Sequence, residues 1–371
     1  MTEIKKTLII GGGLAGLTAA YLLAKGGVDV ELLEKKSYPF HRVCGEYVSN
    51  EVKDFLIREG LFPMEMELPQ MDKFQFSDAL GKDVTVPLGL GGFGISRYKL
   101  DEFLYQKVLA MGGKVSTGVQ VVEIDYDEKE RQFRLKLADG KELFATHVIG
   151  AYGKRSTLDK FLKRPFIAHR SPYIGVKYHI KGEVDRSTVA LHNFKGGYCG
   201  LNAIEEGKAN LCYLGNRDQL RQFGSIEEME KQVVWKNPLL KKLFSESEFL
   251  FEKPEVINEV NFEKKETIVN HMLMAGDTAG LITPLCGNGM AIAIQSGKLA
   301  AEAILKGTTQ QEIEYDYRTQ WQSVFAKRLR LGRNVQKLFG REIASVFTRN
   351  LIQHVPFISN QIIKNTHGKP F

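Results

Sequence analysis

TLIIGGGLAGLTAAYLLAK, residues 7 to 25, is the stretch on which the fold turns. Thr7 to Ile10 read as a short buried parallel strand, the glycines as Gly11-x-Gly13-x-x-Gly16, and the remainder as a helix. That is the order a dinucleotide-binding turn requires. Gly11 permits the tight turn, Gly13 lets the backbone approach a pyrophosphate, and Gly16 lets helix and strand pack closely, while free N–H groups at the helix start hold phosphates. A second strand, Val28 to Leu33, ends in Glu34, about 20 residues beyond the motif, where a carboxylate is expected to accept hydrogen bonds from an adenosine ribose. The stretch is nearly apolar, yet its glycines and the helix-ending Lys25-Gly26-Gly27 argue against a signal peptide or a membrane span.

A second GxGxxG, GLGGFG at Gly89 to Gly94, fails on context. No helix follows directly, and the nearest acids, Asp101 and Glu102, fall inside the next helix, so it reads as a flexible loop and leaves one dinucleotide site. Far along the chain, Thr267 to Ala275 (TIVNHMLMA) reads as a strand, followed by Gly276-Asp277-Thr278-Ala279-Gly280, by Pro284-Leu285-Cys286-Gly287-Asn288-Gly289, and by a helical run from Met290. A carboxylate after a strand can hold a polyol hydroxyl, and N–H groups at a helix start can stabilise negative charge on a reduced heterocycle. A bound flavin needs both.

GGGLAG with Glu34, the segment Arg97-Tyr98-Lys99-Leu100-Asp101, and GDTAGLITPLCGNG occur in this order over most of the chain. Together they resemble the FAD-dependent oxidoreductases that include geranylgeranyl reductases and aromatic-ring hydroxylases of the para-hydroxybenzoate type. The resemblance implies FAD, with Gly11, Gly13, Gly16, Glu34 and Arg42 around its ADP half and Arg97 reaching it from a strand end. It implies Asp277 on the ribityl chain, and Gly287, Gly289 and Met290 facing the isoalloxazine. Leu14, Ala15, Lys35, Cys44 and Val121 complete the expected cofactor contacts. His41-Arg42-Val43-Cys44-Gly45-Glu46 looks more like the CGG-type turn of the reductases, which makes Cys44 either a flavin or substrate contact or a small packed side chain. Where the hydroxylases carry an aspartate-glycine pair, this chain has Tyr152-Gly153, which weighs against NAD(P)H-driven hydroxylation. Lys154 and Arg155 then read as solvated loop surface rather than phosphate ligands. The WxWxIP motif of flavin halogenases is absent, since Trp235 and Trp321 stand well apart.

Between Pro165 and Val260 the segments Tyr173 to Ile180, Val189 to Phe194, Tyr198 to Ile204 and Asn210 to Leu214 alternate as strands, with a hairpin turn at Glu205-Glu206-Gly207-Lys208. Tyr198, Cys199 and Asn202 are candidates for a substrate wall there. The expected fold class is α/β: a discontinuous FAD-binding Rossmann-type domain (1–75, 95–160 and 265–310), an inserted antiparallel β-sheet substrate domain (76–94 and 161–264) and a helical C-terminal region (311–371). A length of 371 residues with 43% hydrophobic content suits two to three domains. Four dispersed cysteines, Cys44, Cys199, Cys212 and Cys286, lack CxxC or paired Cys/His spacing. They indicate neither a disulfide framework nor a metal site, and they suit a reducing cytoplasm. His41, His169, His179, His192 and His271 are scattered singly and none reads as an acid or base. Cys44 and Tyr198 remain the catalytic candidates.

The net charge is +7, and residues 318 to 349 carry eight basic side chains against one acid, Glu342, so the rest of the chain is formally neutral and no nucleic-acid partner is expected. At helical period Phe325, Leu329, Val335, Leu338, Phe339, Ile343 and Phe347 fall on one side and Arg330, Arg333, Lys337 and Arg341 on the other, with Arg328 the exception. Such a helix can lie peripherally on an anionic membrane, meet an acidic carrier, or solvate a basic outer face, and the last is favoured. The tail beyond it is apolar enough to dock on the body or bind lipid. The reductase resemblance implies reduction of a carbon-carbon double bond in a hydrophobic small molecule, an isoprenoid or polyketide-like lipid, with NAD(P)H or a ferredoxin-type donor as reductant. The alternatives are an FAD-dependent monooxygenase acting on an aromatic or polyketide ring, and a partner-dependent flavin electron-relay subunit.

Overall fold

The computed structural model describes residues 6–258, 260–281, 288–336, 340–355 and 367–371. The chain opens with β1 (Thr7–Ile10), α1 (Leu14–Lys25) and β2 (Val30–Glu34). β3 (Tyr47–Ser49) and α2 (Lys53–Arg58) lead into the long pair β4 (Gln70–Ser77) and β5 (Asp83–Gly94). After α3 (Arg97–Ala110) and β6 (Lys114–Thr117) come β7 (Val121–Asp127), β8 (Gln132–Leu137), β9 (Glu142–Ala145), β10 (His147–Gly150) and α4 (Thr157–Phe161). The strands β11 (Tyr173–Lys181), β12 (Thr188–Phe194), β13 (Gly197–Ala203) and β14 (Ala209–Asn216) precede α5 (Arg217–Phe223), α6 (Ile226–Gln232) and α7 (Pro238–Glu246). Then follow β15 (Glu248–Phe249), β16 (Glu255–Asn258), β17 (Ile268–Val269), β18 (Met272–Met274), α8 (Gly289–Lys306), α9 (Gln310–Gln336) and α10 (Glu342–His354).

The described residues build three sheets. The first runs β17-β18-β10-β1-β2-β6, parallel except for the β17–β18 pair. Its central strands β1 and β2 are buried throughout, as a sheet covered on both faces requires. The second runs β15-β11-β14-β13-β12-β4-β5-β3, with β16 beside β11, and is antiparallel except between β12 and β4. It therefore draws on residues 47–49 and 70–77 as well as on later segments. β7, β8 and β9 form a small separate meander. The fold is thus a Rossmann-type α/β unit joined to a large, mostly antiparallel sheet, with a helical C-terminal region.

Several local expectations are corrected. GLGGFG is the end of β5, not a flexible loop: its glycines allow close approach, Gly92 to the Tyr47 ring and Gly94 to the Ala203 carbonyl. TIVNHMLMA is a hairpin rather than one strand. Asn270 (φ 48°) and His271 (φ 64°) sit in the left-handed region, so the chain reverses between β17 and β18. Residues 217–246, read within an all-strand lobe, hold α5, α6 and α7, whose starts are capped by the side chains of Asn216, Ser225 and Asn237. The basic region is not one continuous helix. Gly340 (φ 76°) and the extended Arg341 separate α9 from α10, and the Gly196 N–H donates to the Gly340 carbonyl at 2.9 Å.

That break divides the expected apolar stripe. Phe325 and Leu329 are buried, whereas Ile343 and Phe347 are 87% and 67% exposed. Leu338, Phe339 and Lys337 lie outside the described residues. Arg328, the exception to the basic face, is buried and pairs with Glu51 at 2.9 Å. The C-terminal residues dock on the body: Phe371 packs against Phe55, and the Gly368 N–H donates to Glu51. Among the described residues no helix is long and apolar enough to cross a membrane.

Candidate active site

A cavity of about 1070 Å³ begins at the carboxyl ends of β1 and β2, passes under residues 40–47, and ends between the nine-stranded sheet and α10. Crevices at that edge of an open parallel sheet are where such folds take ligands. Gly11, at φ 104°, turns the chain tightly against the Ala151 carbonyl, and Gly16 lies under the Gly11 carbonyl, so its part is in packing rather than in the cavity wall. Gly13, Leu14 and Ala15 line the cavity at the start of α1, where backbone N–H groups have no partner within the helix.

Glu34 is buried at the end of β2. Its Oε2 accepts from the Gly12 N–H (2.8 Å) and from Arg42 Nη2 (3.1 Å), and its Oε1 accepts from the Lys36 N–H (3.0 Å). A carboxylate has about four lone-pair sites, so one remains for a ligand hydroxyl. Arg42 also reaches Asp101 (3.0 Å), which Arg97 grips with two bonds at 2.6 and 2.7 Å. Burial opposes the charge on Arg97, but Asp101 outweighs it and holds the guanidinium protonated above its usual range. Lys35, Cys44, Arg97 and Val121 all face the same cavity.

At its other wall Asp277 sits in the turn after β18, with Gly289 and Met290 at the start of α8. Gly287 lies outside the described residues. Lys265 positions this wall: its ammonium donates to the Asp277 carbonyl (2.9 Å) and the Lys154 carbonyl (2.7 Å), and burial brings its pKa down to about 8. Lys154 and Arg155, expected as solvated surface, are half-buried and line the cavity, and Lys154 reaches the Val43 carbonyl (3.3 Å). Tyr152 faces it too, its phenol raised above the ordinary range by burial and by Asp159, so it offers a neutral hydroxyl where the hydroxylases have a carboxylate. The donors and carboxylates fit FAD: free N–H groups for the pyrophosphate, Glu34 for a ribose, Asp277 for a polyol, and a helix start facing the ring position.

The segment 41–46 joins this end to the large sheet through residues that the sequence reading left unassigned. Glu46 is fully buried, with Oε1 accepting from Lys177 Nζ (2.5 Å) and the Arg97 N–H (2.7 Å), and Oε2 bonded to His179 Nε2 (2.6 Å). Burial by itself would raise the Glu46 pKa, but Lys177 and His179 hold it below the ordinary range. His41 stacks on Tyr98 and meets His179 edge-on at 5.1 Å; burial, Lys177 and His179 bring its pKa down to about 4. His41 and His179 are therefore not single, whereas His192 and His271 each stand apart from the other histidines. The available signal was in β11, where Lys177 and His179 alternate on one side of YIGVKYHIK while Ile174, Val176, Tyr178 and Ile180 pack into a core on the other.

In β13, Tyr198 and Asn202 line the cavity, whereas Cys199 points the other way into the core beneath α6 and α7. Two of the three wall candidates thus line the cavity, and strand alternation turns the third away from it. Cys212, on β14, lines the cavity near Cys44, and burial pushes its thiol up to about 12. The far end is formed by Phe74, Phe76, Val86, Leu88, Leu191 and Leu351.

A sequence model of the NAD(P)-binding Rossmann-like domain matches residues 9–57. A menaquinone reductase of Mycolicibacterium smegmatis is 24% identical over 348 residues, covering 89% of this chain and 82% of that protein. A digeranylgeranylglycerophospholipid reductase of Methanosarcina acetivorans is 26% identical over 351 residues, covering 89% and 81%. Among solved structures, a flavin-dependent brominase superposes with a TM-score of 0.79 at 18% identity, over 98% of this chain and 93% of that one. That last likeness is one of fold. The chain is thus similar in sequence to a menaquinone reductase and a digeranylgeranylglycerophospholipid reductase, and it has the fold of flavin-dependent halogenases and of an FAD-dependent monooxygenase, so it resembles the FAD-dependent oxidoreductases in both respects.

Proposed function

We propose that the protein reduces a carbon-carbon double bond of a hydrophobic, isoprenoid- or polyketide-like lipid. The observation that carries this reading is the gradient along one cavity, from charged groups around Glu34, Arg42 and Asp277 to an aromatic and aliphatic far end at Phe74, Phe76 and Leu88. FAD, held at the polar end and reduced by a nicotinamide or ferredoxin-type donor, supplies a hydride. The chain does the rest. Glu34 would accept from a ribose hydroxyl and Asp277 from the polyol, and the positive end of the α8 dipole would stabilise negative charge on the reduced heterocycle. The apolar walls exclude water and align an extended alkene chain. The second carbon of the double bond takes a proton, and the Cys44 thiol and the Tyr198 hydroxyl are the candidate donors, since both side chains line the cavity.

The test uses purified FAD-loaded protein reduced anaerobically and mixed with menaquinone or a geranylgeranylated glycerophospholipid, the molecules for which the two relatives are named. Return of the yellow absorbance without oxygen, with two hydrogens gained in the isoprenoid chain of the lipid rather than on a quinone ring, supports the reading. Return only on admitting air, with a product that has gained an oxygen atom, replaces it with a monooxygenase. Re-oxidation only by an added protein acceptor replaces it with an electron relay.

A further inference from the structure

We propose that α10 seats the protein on an anionic lipid bilayer, with the cavity mouth against the membrane, so that a lipid substrate enters without crossing water. The proposal rests on the lipid-substrate reading above, but its test needs no turnover.

α10 has two working faces. Ala344, Thr348, Leu351 and Ile352, at helical spacing, line the cavity. Ser345 Oγ accepts from the Ala79 N–H (3.1 Å) and Arg349 pairs with Asp78 (3.0 Å), which fixes the helix to the turn between β4 and β5. On the outer face Ile343 and Phe347 stand one helical turn apart, 87% and 67% exposed, and Phe347 also lines the cavity, so it stands on the rim. Single exposed aliphatics are ordinary, but two large apolar side chains exposed one helical turn apart, one of them on the lining of an apolar cavity, mark a contact surface.

The charges around this rim favour a headgroup layer as the occupant. Arg341 stands at the N-terminal boundary of α10, Lys195 neighbours the Gly196 whose N–H holds the Gly340 carbonyl, and Lys82 sits in the β4–β5 turn; all three are exposed. The acids beside them are Glu342 and Asp83, while Asp78 is already paired with Arg349. Two copies meeting through such rims would bring like charges together, whereas anionic headgroups neutralise them and the acyl region takes Ile343 and Phe347.

The experiment is co-sedimentation of the FAD-loaded protein with vesicles of phosphatidylcholine containing phosphatidylglycerol, and with phosphatidylcholine alone, at low and high salt. The protein is expected on the anionic vesicles, with binding reduced by salt. Paired Ile343→Glu and Phe347→Glu substitutions, and separately paired Lys195→Glu and Arg341→Glu, should each weaken binding by at least about tenfold while retaining flavin and circular dichroism. Absence of wild-type binding to anionic vesicles, or variants that bind as well as wild type, would overturn the proposal. So would a wild-type dimer in light scattering that the Ile343/Phe347 variant splits, since the face would then belong to a second copy. Vesicle binding without lipid reduction rejects the lipid-reductase reading alone, and reduction of detergent-dispersed lipid without vesicle binding rejects the docking alone.

Discussion

Glu34 and Asp277 stand on the two walls of the cavity, the first the last residue of β2 and the second in the turn after β18. Glu34 is already held by two N–H groups and Arg42, so its remaining acceptor capacity is aimed rather than free. Replacing Asp277 with Ala should weaken FAD binding by about ten- to a hundredfold, the worth of one or two hydrogen bonds to a charged acceptor. The flavin-to-protein absorbance ratio after gel filtration reads this directly, and a stoichiometrically yellow Asp277→Ala protein contradicts the ribityl contact. Glu230 is a carboxylate under opposite pressure. Burial behind the sheet pushes its pKa up to about 7, although the hydroxyls of Tyr178 (3.0 Å) and Tyr213 (2.8 Å) both donate to it. Because the folded state holds this proton more tightly than the unfolded chain, the stabilisation is full below the ordinary carboxylate range and is lost as pH rises toward about 7. Glu230→Gln keeps an acceptor for both tyrosines and cannot ionise. It should be more stable than wild type by roughly 1–3 kcal/mol at about pH 8, with the gap closing in mild acid. Urea midpoints that differ equally at both pH values would show that the buried charge is not the cause.

At the scale of elements, the cofactor half depends on how closely α8 can lie across α1. Gly297 of α8 faces the Ala15 backbone with no room for a Cβ, and Ala15 is in the first turn that lines the cavity. Gly297→Ala should therefore push the two helices apart and cost roughly 1–3 kcal/mol, while also loosening FAD, for which that first turn is the expected phosphate site. Equilibrium unfolding with and without added FAD checks both effects, and an unchanged midpoint in each would mean that the helices have slack the packing denies. The strand, glycine turn and helix at residues 7–25 were readable because each is a local pattern with its own period. Elsewhere the local signals point to something other than the element that forms. GLGGFG is rich in turn residues, yet those glycines serve close packing by Tyr47 and Ala203, which are distant in sequence. TIVNHMLMA has a strand's composition, and its reversal depends on two residues, Asn270 and His271, that enter the left-handed region without a glycine. The break at Gly340 was visible as a glycine, but nothing local said that the Gly196 turn would hold it.

At the scale of the whole molecule, Glu46 is where the cofactor unit and the large sheet are joined. Its partners Lys177 and His179 lie 131 and 133 residues away along the chain, so no local pattern could have paired them. Around it, Asn210 donates to the Gly45 carbonyl (2.9 Å) and Asn202 to the Glu46 carbonyl (3.3 Å), so three strands of the sheet grip one turn of the cofactor unit. On the other side of that turn Arg42 braces Glu34 and Asp101. Glu46→Gln would leave the fully buried Lys177 without its carboxylate, and breaking a buried pair from one side costs about 3–5 kcal/mol. The wild-type contribution should have a defined pH signature. Since the folded state holds the Glu46 pKa below its ordinary value, the stabilisation is present above the unfolded carboxylate pKa and is lost as pH falls through the lowered one. The Glu46→Gln deficit should therefore be large at neutral pH and shrink in acid. Adding Lys177→Met to Glu46→Gln removes the stranded ammonium and should recover part of the loss, a coupling that a double-mutant cycle in urea measures. If the joint works as the contacts imply, Glu46→Gln also lowers FAD retention through Arg42, although Glu46 makes no bond to Glu34. Additive single effects with unchanged flavin content would mean that the two units fold independently and that the cavity between them is held by something other than this turn.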